Sequence, residues 1–137
     1  MIPCAVIDTN VLVSAFWSNN RESPPAKIYH AIMDRLFKPI YNAEIIAEYD
    51  EVLHRRNFGF PASQVDAAIR AVREFGEEVT PAESVTENFP DPDDKIFYCV
   101  ALTAQDENTM LVTGNTRHFP PAPFVVTPAE FVDRLGL

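Results

Sequence analysis

The residues of this chain that could do chemistry are acids in three places: Asp8, Glu48 and the cluster Asp91, Asp93 and Asp94. Carboxylates that a fold gathers in one place repel one another strongly unless protons or a cation neutralise them. A hard divalent ion such as Mg²⁺ or Mn²⁺ prefers oxygen ligands and keeps open positions for water. Such a site predicts hydrolysis, because a bound divalent ion activates water and stabilises developing charge.

Asp8 also has a structural explanation. It directly follows the continuous apolar run of residues 4–7, which is typical of a parallel strand buried on both faces. At the tip of that strand it is placed either to cap the next helix or to belong to a ligand site, since ligands bind at this edge of open α/β sheets. Its position alone supports the two interpretations equally.

The other acids are open to the same question. Asp91 before Pro92 is a good N-cap, and acids in the first turn suit the helix dipole. In the helix that holds Glu48, a helical wheel places Glu44, Glu51 and Arg55 on the side opposite the apolar face, where an ion pair to Arg55 is expected. Glu48 lies toward the apolar edge, so its role is ambiguous.

The elements predicted around these acids alternate between strands and helices. Strands are expected at residues 4–7, 37–41, 77–80, 109–114 and 124–126, and helices at 11–16, 24–37, 43–56, 64–76, 91–105 and 127–137. This order predicts one domain, residues 1–137, with a parallel or mostly parallel sheet of four or five strands and helices on both faces. The acids at the strand and helix ends can then converge on one edge of the sheet.

Capping residues support three of these helices. Asn42 is a good N-cap for the third helix, and Ser63 with Asp66 predicts a weaker capping box for the fourth. Thr127 with Glu130 predicts a capping box for the last helix, with Pro128 at its first position.

Composition restricts the classes of partner. The formal net charge of −9 argues against bulk attraction to nucleic acid, so a nucleic-acid contact must use a local basic patch or a bound cation. No apolar run approaches the length of a membrane span, and we expect no membrane partner and a cytoplasmic location. Cys4 and Cys99 lie in apolar segments without metal-ligand spacing, so we expect both to be buried as small hydrophobic residues.

Four segments together resemble a PIN domain: "IDTNVLVSA" at residues 7–15, "AEIIAEYDEVL" at 43–53, "DPDDKIFYCVALTA" at 91–104 and "LVTGNTRHF" at 111–119. They occur in the order and spacing of that family over essentially the whole chain, and they are most similar to the branch of VapC-like toxins of toxin–antitoxin systems. The resemblance implies a three-layer α/β/α sandwich and a Mg²⁺- or Mn²⁺-dependent endoribonuclease that cleaves single-stranded or structured RNA.

The resemblance also assigns roles to single residues. Asp8, Glu48 and Asp94 match the three catalytic acids, with Asp91 as an accessory acid, and Asn10 and Thr113 match supporting polar positions. Many PIN domains carry a fourth aspartate where this chain has Asn115. The implied metal ligands are therefore Asp8, Glu48, Asp91, Asp94 and Asn115, with one negative charge fewer than the common pattern.

Candidate RNA-binding residues are Arg117 and His118, just after the strand that carries Thr113, and the pair Arg55 and Arg56. Basic residues at 54–56 have an equally good explanation as a helix C-terminus that complements the dipole. If the family mechanism holds, the products carry a 5′-phosphate and a 3′-hydroxyl. The resemblance implies an antitoxin protein as a partner and, by analogy, a homodimer.

Two other functions compete with the nuclease. The first is a PIN fold kept for binding RNA or protein, with catalysis weakened or lost at Asn115. The second makes Asp8 a phosphoryl acceptor, as in haloacid-dehalogenase-like phosphatases or receiver domains. Asn10 argues against the phosphatase, whose D-x-D pattern requires an acid there, and Lys95 lies on the wrong element for a receiver.

Overall fold

The computed structural model describes residues 2–81, 89–105 and 108–137. Within these ranges, five strands form one parallel sheet in the order β3-β2-β1-β4-β5, and six helices flank it as a three-layer α/β/α sandwich, as the sequence predicts. The strands are β1 (Cys4–Ile7), β2 (Lys38–Tyr41), β3 (Glu77–Glu78), β4 (Met110–Val112) and β5 (Val125–Val126). The helices are α1 (Thr9–Trp17), α2 (Pro24–Met33), α3 (Ala43–Leu53), α4 (Ala62–Phe75), α5 (Lys95–Thr103) and α6 (Pro128–Arg134).

The strand order places a topological switch between β1 and β4. The chain runs from β1 outward to β2 and β3, and then returns to the other side of β1 to form β4 and β5. Ile7 of β1 is in register with Val112 of β4, so the residues that follow, Asp8 and Thr113, lie side by side at the carboxyl edge. This is where open α/β sheets bind their ligands.

The core explains why β1 reads as an unbroken apolar run. Its four residues are all buried, because both faces of the central strand are covered by helices. Large aromatic side chains fill the rest, among them Phe37 and Phe131, whose rings meet edge to face at 5.0 Å, and the fully buried Phe97. Cys4 and Cys99 are buried, as predicted.

Of the caps predicted at Asn42, Ser63 and Thr127, two are confirmed. The side chain of Asn42 accepts a hydrogen bond from the Ile45 amide, and Thr127 and Glu130 form the reciprocal capping box of α6. The predicted box of Ser63 and Asp66 is wrong. Helix α4 begins at Ala62 with Pro61 at the N-cap, which places Ser63 inside the first turn, and Asp66 instead contacts His54.

Several elements are shorter than the sequence predicts. Helix α2 stops at Met33 because the chain turns at Arg35, whose φ of 59° lies in the left-handed region. The segment predicted as a helix from residue 91 begins with a 3₁₀ turn, Pro92–Asp94. A second 3₁₀ turn, Thr116–His118, follows β4. Within the described ranges, no helix has the length and apolar character needed to cross a membrane.

Candidate active site

Asp8 stands at the end of β1 with its side chain turned into the protein. Its backbone N–H donates to the Val112 carbonyl at 2.9 Å, which continues the β1–β4 pairing, and the residue is only 3% exposed. Although Asp8 occupies the N-cap position of α1, its carboxylate makes no capping hydrogen bond. Instead, Oδ2 accepts a hydrogen bond from the Thr113 hydroxyl at 2.7 Å. Burial raises the pKa of Asp8, while the Thr113 hydroxyl and the backbone N–H groups of Asn10 and Thr9 at the start of α1 lower it by smaller amounts.

Thr113 and Asn115 form the support of Asp8. Thr113 is completely buried, and its hydroxyl oxygen accepts a hydrogen bond from the Asn115 amide at 3.0 Å while its own proton goes to Asp8. The side chain of Asn115 is exposed and makes no capping bond to the turn that it precedes. The backbone N–H of Asn115 thus supports Asp8 through Thr113. The side-chain amide of Asn115 is exposed at the edge of the site.

Asp94 is brought beside Asp8 by the turn Pro92–Asp94. Asp91 begins this turn, and its carboxylate accepts the Asp93 amide at 3.0 Å, so the predicted N-cap is confirmed. Asp94 at the end of the turn is 7% exposed. Burial and the nearby charges of Asp8 and Asp91 raise the pKa of Asp94 to about 6. The three aspartates therefore share one electrostatic environment.

His118 contacts this acidic group directly. Its Nδ1 lies 3.2 Å from Oδ2 of Asp94. Burial raises the pKa of both Asp94 and Asp8, and His118 opposes this effect by lowering both pKa values to a smaller extent. The sequence suggested only RNA contact for His118. Residues 94 and 118 lie on different elements, so no local pattern could have shown their pairing.

Tyr49 fixes the position of Glu48. Its buried hydroxyl donates a hydrogen bond to the carbonyl oxygen of Ile7, which ties α3 to the end of β1, and burial raises its pKa. Glu48, the preceding residue, is half-buried, and its pKa is raised by burial first and then by Asp93, with smaller contributions that include Asp91. Asp91 thus acts on both Glu48 and Asp94, and the convergence of Glu48 with Asp8 and Asp94 on one pocket stays a prediction.

An open cavity of about 740 Å³ flanks these acids. Its walls include Glu48 and Asp93 but neither Asp8 nor Asp94. Of the described residues that line it, four carry carboxylates and only Lys95 carries an ammonium group; the four are Glu44, Glu48, Glu78 and Asp93. The cavity is thus acidic and adjoins the site through Glu48 and Asp93.

The predicted RNA-binding residues separate into two groups. Arg117 is exposed in the turn Thr116–His118, next to the acids. Arg55 lies beyond the end of α3, seven residues or about 10 Å along the helix from Glu48, and its Nη2 binds both carboxylate oxygens of Glu51 at 2.9 and 3.2 Å. This is the predicted ion pair. Arg56 follows it, exposed at the same end.

A second titratable cluster lies at that end of α3. His54 bridges Asp50 of α3 and Asp66 of α4, with Nδ1 at 3.2 Å from one carboxylate and Nε2 at 3.0 Å from the other. In the described part of the chain, this exposed trio is the one group of three or more His, Cys, Asp or Glu residues whose ligand atoms all lie within 4.8 Å of one another. The spacing of Asp50 and His54 is readable from the sequence, but their meeting with Asp66 depends on the packing of two helices.

The comparison with known families agrees with this geometry. Residues 4–117 match the family model of the PIN domain, which covers most of the 137 residues. The chain therefore belongs to the PIN domain family, whose members are generally nucleases and typically bind divalent metal. Neither the curated proteins nor the solved structures gave a match.

Proposed function

We propose that this protein is a metal-dependent endoribonuclease that hydrolyses RNA phosphodiester bonds and acts as the toxin of a toxin–antitoxin pair. One observation carries the nuclease proposal. Two buried carboxylates, Asp8 and Asp94, lie near the switch point of the sheet, and burial together with the charge of Asp8 raises the pKa of Asp94. A fold keeps mutually repelling buried acids at a ligand-binding edge when they serve a function there.

The donor set fits a divalent cation. Asp8 and Asp94 offer charged oxygens in a buried setting, and the half-exposed His118 is a basic side chain that contacts Asp94. Mg²⁺ or Mn²⁺ suits such oxygen ligands, and a bound ion would remove the repulsion that burial enforces. When bound, it supplies an activated water and stabilises the charge that develops on the phosphate.

Each residue of the chain has a distinct part in this proposal. Thr113 holds the Asp8 carboxylate in one orientation, and the turn begun by Asp91 holds Asp94 beside it. Glu48 approaches from α3 and orients the attacking water or holds a second ion. Asn10 and Asn115 lie exposed at the rim, where they meet water or substrate. The expected products carry a 5′-phosphate and a 3′-hydroxyl.

RNA binding must depend on few cations, because the chain carries a net charge of −9. Arg117 is the best placed, since it is exposed on the same turn as His118. Arg55 is neutralised by Glu51 and lies at the far end of α3, and with Arg56 it could meet only a more distant part of the strand. RNA contact by His118 competes with its contact to Asp94.

Cleavage of a panel of RNAs with and without Mg²⁺ or Mn²⁺ tests the nuclease. We expect metal-dependent products that disappear in Asp8→Ala and Asp94→Asn. Asp133→Asn, which removes an exposed acid of α6, is the matched control and should cleave like wild type. Equal cleavage by all four proteins would contradict the proposal.

A binding module is the second candidate, and the neutral Asn115 at the rim favours it. RNA binding without cleavage under every metal condition would support this candidate over the nuclease. The toxin role, the antitoxin and the homodimer are proposals from the resemblance alone, and the cytoplasmic location is a proposal from the apolar pattern of the sequence. An adjacent gene for a small DNA-binding protein that co-purifies with this chain and inhibits it would support the toxin role.

A further inference from the structure

We propose that His118 is a direct ligand of the catalytic metal and that it makes the site prefer Mn²⁺ over Mg²⁺. This inference rests on the proposed metal site at Asp8 and Asp94. The imidazole then replaces, in part, the fourth carboxylate that Asn115 does not supply.

The distance between the two donor atoms carries the argument. Nδ1 of His118 lies 3.2 Å from Oδ2 of Asp94. Two adjacent ligands of an octahedral ion, each about 2.1 Å from it, are separated by about 3.0 Å. The pair therefore has a spacing close to that of neighbouring ligands on one cation. The Asp8 carboxylate must move closer before all three residues share an ion, because the donor atoms of Asp8, Asp94 and His118 do not all lie within 4.8 Å of one another.

The backbone holds His118 at this place. The His118 amide donates to the Asn115 carbonyl at 3.0 Å within the turn Thr116–His118, and the next residue, Phe119, is buried in the core. The His118 side chain is 36% exposed. One side of the imidazole faces Asp94, and solvent remains on the other, as a metal site with open positions for water requires.

The chemistry of the donors predicts the choice of metal. Imidazole nitrogen binds Mn²⁺ and later transition metals, whereas Mg²⁺ strongly prefers oxygen ligands. A set of two carboxylates and one imidazole therefore favours Mn²⁺ more than an all-carboxylate set does. If His118 only orients Asp94 through a hydrogen bond, no such preference follows.

Pulsed electron paramagnetic resonance of the full chain with Mn²⁺ tests the contact directly. We expect ¹⁴N coupling to the bound Mn²⁺ in wild type and its loss in His118→Ala. His54→Ala is the matched control, because it removes the other imidazole that lies near two carboxylates. The coupling should persist in that variant.

Calorimetric titration gives the selectivity. Mn²⁺ affinity should fall about tenfold in His118→Ala, while Mg²⁺ affinity should change by no more than about twofold. Bound Mn²⁺ without nitrogen coupling, or a coupling that disappears in His54→Ala instead, would overturn the inference. The wild-type and His54→Ala spectra decide this even if His118→Ala folds poorly. Nitrogen coupling from His118 in a protein that cleaves no RNA would uphold the ligand and refute only the nuclease.

Discussion

The Thr113 hydroxyl donates a 2.7 Å hydrogen bond to Oδ2 of Asp8 and thereby joins the ends of β1 and β4. Both residues are buried, and the hydroxyl is itself held by the Asn115 amide. A buried carboxylate held by such a fixed donor has a defined orientation, which a metal ligand requires. The switch point of the sheet is thus organised before any ion binds.

Replacing Thr113 by Val should destabilise the protein by about 1–2 kcal/mol, because Asp8 loses its donor and the Asn115 amide loses its acceptor. Thr113→Ser keeps the hydroxyl and should recover most of that loss. Urea unfolding without metal at neutral pH measures both variants. A valine variant as stable as wild type would show that the hydrogen bond contributes no net stability.

Asp94→Asn should abolish cleavage and yet stabilise the metal-free fold at neutral pH. The amide occupies the same volume, but it removes a buried charge that Asp8 and Asp91 repel. The amide also loses the charge-assisted contact to His118, so we expect a gain on the order of 1 kcal/mol rather than the full value of the pKa shift. Thermal unfolding in EDTA gives the sign, and a lower melting temperature would contradict it.

The same group makes stability depend on pH. Because the pKa of Asp94 is about 6 in the folded protein and 3.8 for an unperturbed aspartate, the folded state binds an extra proton between these two pH values. This contribution to stability is therefore present at low pH and is lost as pH rises through about 6. In EDTA, the difference in unfolding free energy between Asp94→Asn and wild type should grow over this range. Saturating Mn²⁺ should reverse the trend, since the ion binds the ionised form.

The sequence predicts the fold because its signals are local. The apolar run of β1, the Asn42 cap and the Thr127 capping box each depend on residues within one element, and all three are confirmed. The predictions that fail concern the ends of helices. Helix α4 begins after Pro61, before the predicted cap Ser63, and α2 ends before Arg35, whose backbone is left-handed. Element boundaries depend on single backbone conformations, which periodicity does not reveal.

The sequence predicts the site residues that stand at the ends of strands and helices, and it predicts them only as well as it predicts those ends. Asp8, Asp91 and Asp94 stand at such ends, so the parallel topology alone brings them toward one edge. The contacts that define the site more finely connect distant residues: His118 with Asp94, Tyr49 with the Ile7 carbonyl, and His54 with Asp66. One sequence carries no periodic signal for such pairs.

Gly76 offers a test of the packing that supports the sheet. A Cβ at this position would collide with the carbonyl oxygens of Pro39 in β2 and Val72 in α4. Backbone atoms cannot move aside as a flexible side chain can, so Gly76→Ala should cost at least about 2 kcal/mol. Gly114→Ala, where a Cβ meets open space, is the control and should unfold within about 0.5 kcal/mol of wild type.

Asn115→Asp tests how much the missing carboxylate matters. Asparagine offers a metal only a neutral carbonyl oxygen, whereas aspartate offers a charged one, and both are good residues at the start of a turn. We therefore expect the variant to keep the fold and to bind Mn²⁺ or Mg²⁺ about tenfold more tightly, which corresponds to about 1.4 kcal/mol. Without metal, the added carboxylate is repelled by Asp8 and Asp94 and should lower the melting temperature. The decrease should be slight, because position 115 is exposed and solvent screens the charge.

Calorimetric titration and thermal unfolding of both proteins measure the two effects. Equal affinities, with no metal-dependent difference in melting temperature, would place Asn115 outside the metal site.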